Sequence, residues 1–122
     1  MSNTVKFTEE DLKSGYQVQN PGFFDYEITK ISSKPANTDG SPNYFVTFLG
    51  ESGEMAGVRV TMMYSSKARF AFMPLFKAAN GGVVERDHEY SWDNLVGCKV
   101  KGWTKRGDRY PNEITDFRPI GS

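Results

Sequence analysis

The order of hydrophobic periods along this chain narrows its fold more than any single motif. Three runs alternate with period two, at 23–31, 44–49 and 57–64. One stretch of helical period follows between 65 and 82, and then two more strand-like runs at 95–104 and 109–117. In the first run Phe24, Tyr26 and Ile28 share a face opposite Asp25, Glu27 and Thr29. In the second, Tyr44, Val46 and Phe48 oppose Phe45, Thr47 and Leu49; in the third, Val58, Val60 and Met62 oppose Arg59, Thr61 and Met63.

The helical stretch has Ser65 or Ser66 to cap it and Asn80-Gly81-Gly82 to end it. Phe70, Met73 and Phe76, with Phe72, Leu75 and Ala79 alongside, make a wide apolar stripe, so this helix is expected to plug a core. Pro74 predicts either a kink or the start of the stronger half. The longest turn-rich segment, S-S-K-P-A-N-T-D-G-S-P-N at 32–43, separates the first two strands. Loops of that length are often functional or mobile.

The final hairpin carries the most suggestive chemistry. Val96, Cys98 and Val100 alternate with Gly97, Lys99 and Lys101, giving one apolar and one cationic face. Lys105-Arg106-Gly107-Asp108 reads as the turn, with Gly107 free to take positive φ, and Pro111 marks the last strand as an edge or a bulge. Lys99, Lys101, Trp103 and Lys105 fall on one side. A tryptophan among lysines suits a base stacked on the indole with phosphates held by ammonium groups; the alternative is that Trp103 closes the end of the core. Phe45 has the same two readings: an outer patch with Thr47, Arg59 and Thr61, or packing under a loop. Trp92 is read as a lid on the core.

Fifteen basic and fifteen acidic residues cancel, so charge distribution carries the information. No acid lies between Met55 and Val84, where Arg59, Lys67, Arg69 and Lys77 stand, and Asp108 is the one acid from Lys99 to Arg109. Acids gather at 9–11 and 85–93. This predicts a basic face on a neutral molecule.

Three strands, a helix, then a closing hairpin is the plan of the OB-fold: all-β with one helix, a five-stranded partly open Greek-key barrel whose helix lies between strands three and four. In that fold the outer face of strands two and three, with the loops joining one to two and four to five, holds the ligand. We assign 20–122 to this domain and 1–19 to an N-terminal extension. Residues 1–18 are expected to be peripheral, with Thr8 capping a short helical turn.

N-P-G-F-F-D-Y-E-I-T at 20–29, L-V-G-C-K-V-K-G at 95–102 and Y-P-N-E-I-T-D-F-R-P at 110–119 resemble a family of phage and prophage proteins, over most of 7–119. The better-understood members of that family are single-stranded-DNA-binding proteins with an OB-fold and a helix after the third strand. The shared motifs are scaffold-like rather than ligand-contacting. The acidic C-terminal tail through which many such proteins recruit replication partners has no counterpart here. The resemblance implies a role in phage replication or recombination, with single-stranded DNA as ligand and replication or recombination proteins as partners.

Catalysis has little support. His88 has no cysteine near it to complete a zinc site, no nucleophile elbow is present, and no phosphate-cradling glycine loop precedes a Lys-Ser/Thr pair. Asp25, Glu27, Glu51 and Glu54 could serve a magnesium-dependent nuclease only by converging. We expect a non-enzyme without metal or cofactor. One cysteine, Cys98, precludes an internal disulfide and is read as core, and neither a signal-peptide core nor a membrane-spanning run is found, so the cytoplasm of a bacterial host is the expected compartment. The expected groove is lined by Lys34, Arg59, Lys101, Lys105, Arg106 and Arg109. Bases would stack on Trp103, Tyr110 and Phe45, with Tyr44 and Tyr64 in supporting roles. The competing expectation is an OB-type protein-interaction module or a structural phage component that uses the same face hydrophobically.

Overall fold

The computed structural model of the protein describes Thr4, Lys6 and residues 15–36, 39–108 and 110–121. Its strands are β1 (Gly22–Pro35), β2 (Pro42–Gly50), β3 (Arg59–Ser65), β4 (Lys99–Arg106) and β5 (Asn112–Pro119), all antiparallel, in the order β3-β2-β1-β4-β5. The sheet curls until β3 approaches β5, making a half-barrel with one helix, α1 (Arg69–Ala79), between the third and fourth strands. This is the OB-like plan.

The curl depends on β1, which pairs with β4 over 22–27 and with β2 over 26–35. Alternation buries Tyr26 and Ile28, and then Thr29 stands as an extra residue between the Ile28–Phe48 and Lys30–Thr47 pairs. That bulge resets the parity, so Ile31 turns to the core side although it shares odd numbering with outward Asp25 and Glu27. A second register shift leaves Thr115 extra between Ile114 and Asp116, which keeps both Ile114 and Phe117 inward.

Val46, Phe48, Val58, Val60, Val100, Ile114 and Phe117 fill the barrel, and α1 plugs it with Leu75, Phe76 and Ala78. Burying each large apolar side chain contributes roughly 1.5–3 kcal/mol. The helix thus plugs a core as expected, with Phe72, Leu75, Phe76 and Ala79 of the expected stripe on the core side, but the stripe is shifted: Ala78 is buried, whereas Phe70 is 89% exposed and Met73 is also exposed. Pro74 lies within the continuous helix. The start also differs, since the N-cap is Ala68 with no side-chain cap, and the Ser65 hydroxyl instead accepts the Lys67 N–H. The end is as read: Gly81 and Gly82 have positive φ, and the Gly82 N–H returns to the Lys77 carbonyl at 2.7 Å.

Three further expectations are corrected. Half of 32–43 is paired strand, because β1 and β2 stay in register out to Pro35 opposite Pro42. The fourth strand starts at Lys99, so Val96 is exposed, while Cys98 is half-buried and its thiol donates to the Asn94 carbonyl; Trp92–Leu95 forms one 3-10 turn ahead of the strand, as 91–95 leads one to expect. Residues 15–20 are not peripheral: Val18 is fully buried, its N–H donates to the Asn112 side-chain oxygen at 2.8 Å, and Asn112 Nδ2 donates to the Tyr16 carbonyl. The proposed turn at Thr8 lies outside the described residues. Among the described residues no helix is long and apolar enough to cross a membrane.

Candidate functional site

The outer face of β2 and β3 is built from direct cross-strand pairs: Phe45 with Met63, Thr47 with Thr61, and Leu49 with Arg59. The two threonine hydroxyls are 3.2 Å apart. Inward Val46, Phe48 and Val60 force these partners outward, so the patch of Phe45, Thr47, Arg59 and Thr61 read from alternation is present. At the distal end of the β1–β2 hairpin the Lys34 ammonium lies 6.0 Å from the centroid of the Phe45 ring.

Between β3 and the β4–β5 connection runs a groove. One cavity of about 310 Å³ is lined by Thr61, Met63, Gly107, Tyr110 and Glu113 among others; a smaller one of about 100 Å³ adjoins it through Thr61 and Tyr110 and reaches Tyr16 and Arg59. Tyr110 is 62% exposed. Asp108 and Glu113 bring negative charge to the larger cavity, and Lys105 is the cross-strand partner of Glu113. Gly107 does not take positive φ as expected; it is required because a Cβ there would sit 2.5 Å from the Tyr110 carbonyl oxygen.

The remaining sequence-derived residues do not join this groove. Trp103 is outward, 38% exposed, and pairs with Phe23 at the start of β1. Phe45 pairs with Ser32, nine residues further along β1, a separation of up to about 30 Å at the rise of an extended strand. The expected single furrow is therefore two patches. In the second, Phe23 meets the indole edge-on at 5.3 Å and the Arg118 guanidinium lies 4.4 Å over the Phe23 ring. Lys101 is the cross-strand partner of both Asp25 and Arg118, and Lys99 forms an ion pair with Glu51 at 3.4 Å, so this patch mixes signs. Phe23 and Arg118 were missed by sequence reasoning; their shared outward register with Trp103 is the signal that could have found them.

Three assignments are corrected by burial or bonding. Tyr64 is 6% exposed, and burial pushes its phenol pKa well up; it is a core residue. Tyr44 faces the core side and stacks on Trp92 at 4.2 Å and 10°, in a ring cluster with Phe72 and Phe76 that makes Trp92 the expected lid. Arg106 is a structural residue, donating Nε–H to the Val18 carbonyl and an Nη2–H to the Gln19 side-chain oxygen, both at 3.0 Å. Arg109 lies outside the described residues. Of the carboxylates that a nuclease would require to converge, Glu51 pairs with Lys99 and Glu54 accepts from Tyr16 and from the Gln19 and Asn20 N–H groups. No family model matches the chain, and no curated protein is significantly similar to it.

Proposed function

We propose that the protein binds single-stranded DNA without sequence preference, along the groove between β3 and the β4–β5 connection and onward over the outer face of β2. The observation that carries this reading is the outward face of β2 and β3, where exposed Met63 lines the groove and pairs with half-buried Phe45. Tyr110 and Arg59 lie at its groove end, the Phe45–Met63 pair crosses its middle, and Lys34 stands at its far end. Exposed rings serve as stacking surfaces for any base, because every base has a π-face, and flanking cations neutralise phosphates. Duplex DNA binds poorly because its bases are unavailable for stacking. The resemblance of 20–29, 95–102 and 110–119 to phage and prophage single-stranded-DNA-binding proteins supports a role in phage replication or recombination, by covering exposed single strands. Anisotropy of a fluorescein-labelled oligo-dT, measured against a duplex of equal length, tests the reading: saturable binding of the single strand alone is expected, and equal or absent binding of both would remove it.

A further inference from the structure

The helical stripe expected to be core leaves an aromatic ring in solvent. Phe70 and Met73 project from α1 beside Pro74 and Ala78, and Phe117 and Pro119 of β5 form the opposite wall. The groove between them holds about 430 Å³, room for one or two large side chains. Exposed Val83 and Ile120 extend the apolar rim at positions flanking the groove residues Gly82 and Pro119. Among the described residues, Lys77 is the one charged residue lining the groove. Arg69 precedes Phe70 and lines the neighbouring cavity, which shares Met73 with this groove, and no acid occurs anywhere in 55–84. A wide exposed apolar patch of this kind marks an interaction surface.

We infer that this groove docks an acidic peptide segment of a partner protein, inserting a large apolar side chain against Phe70 and Met73 while its carboxylates meet Lys77 and Arg69. Charge decides between occupants. A second copy placed about a two-fold axis would set Arg69 and Lys77 against their own equivalents, which like-charge repulsion disfavours. The walls are Met, Pro, Ala and Phe around Lys77, an apolar recess that takes an aliphatic or aromatic side chain rather than a run of phosphates. The groove is formed by α1 and β5 and shares no lining residue with the groove along β3, so the partner and the nucleic acid can bind together.

The test uses the full chain and a fluorescein-labelled twelve-residue peptide in which Glu alternates with Leu and Phe, alongside its Gln counterpart. Saturable binding of the Glu peptide is expected, at least about tenfold tighter than the Gln peptide and weakened by salt. Phe70→Ala removes a solvent-exposed ring, so the fold should stay intact by circular dichroism while affinity falls about tenfold or more, as for loss of an aromatic anchor. Lys77→Glu should weaken the Glu peptide and spare the Gln peptide. Failure of the Glu peptide to bind, equal binding of the two peptides, or binding unaffected by Phe70→Ala would overturn the inference. Displacement by oligo-dT would assign the groove to nucleic acid, and a concentration-dependent dimer abolished by Phe70→Ala would assign it to a second copy; either result overturns it as well. Oligo-dT binding unchanged by Phe70→Ala separates failure here from failure of the DNA-binding reading.

Discussion

Tyr26 donates its hydroxyl hydrogen to Thr104 Oγ1 at 2.5 Å, deep in the barrel, because Thr104 already commits its own hydrogen to the Gly102 carbonyl. Both residues are fully buried, and the bond joins β1 to β4 across 78 positions of sequence. Gly102 makes room for the Tyr26 ring: a Cβ there would lie 3.3 Å from it and 2.6 Å from Ile114 Cγ2.

That arrangement predicts opposite outcomes for two tyrosines. Tyr26→Phe should cost about 1 kcal/mol, the net worth of a buried hydrogen bond. Tyr64→Phe should cost nothing or stabilise slightly, since the Tyr64 hydroxyl is the buried side-chain polar atom that lacks a partner among the described residues. Urea unfolding of both variants checks this. Gly102→Ala should be worse than Tyr26→Phe, by about 1–3 kcal/mol relative to wild type, through overpacking.

Burial pushes the Tyr26 phenol up to about 12. A raised acid keeps the neutral form in the fold, so its stabilisation is complete below the ordinary phenol value of about 10 and is lost as pH climbs from there through the folded value. Tyr64 acts in the same direction. Thermal midpoints should therefore fall steeply with alkaline pH, and the double Phe variant should show a flatter decline.

At the acid end Glu54 is the sensitive group. The Gln19 N–H does most to hold its carboxyl below the usual carboxylate range; burial, the next largest effect, opposes it, and weaker hydrogen bonds from Tyr16 and Asn20 add to the lowering. A lowered acid stabilises the fold above its unfolded pKa and stops doing so as pH falls through the folded value. Glu54→Gln should therefore loosen residues 15–20 at neutral pH, read as faster amide exchange at Val18, and the gap to wild type should close in acid.

Tyr110→Ala and Phe45→Ala should each weaken binding of a short oligo-dT by about 1–3 kcal/mol, the usual loss per stacked base. Trp103→Ala should change it less than about twofold, because the indole belongs to the separate patch with Phe23 and Arg118. With Arg59 and Lys34 as the cations named on this surface, roughly two phosphates are neutralised, and log K should fall against log salt with a slope of about −1.4. A Trp103 loss equal to the Phe45 loss would return the indole to the binding path.

Strand identity and sidedness were readable from the chain alone wherever a face is decided by the residue next door. Val46 and Phe48 inward require Phe45 and Thr47 outward, and Val60 inward requires Arg59 and Thr61 outward. The same local rule brought out the strand-helix-strand order and hence the barrel. Tertiary structure decided what depends on distant neighbours. Register along β1 separates Trp103 from Phe45, although both are outward aromatics. Curling of the sheet buries Tyr64, and packing of α1 on β5 selects Leu75, Phe76 and Ala78 over Phe70. The strap at 15–20 takes Arg106 out of the basic face. Periodicity reports which side of an element a residue occupies; only the packing of whole elements determines what lies across from that side.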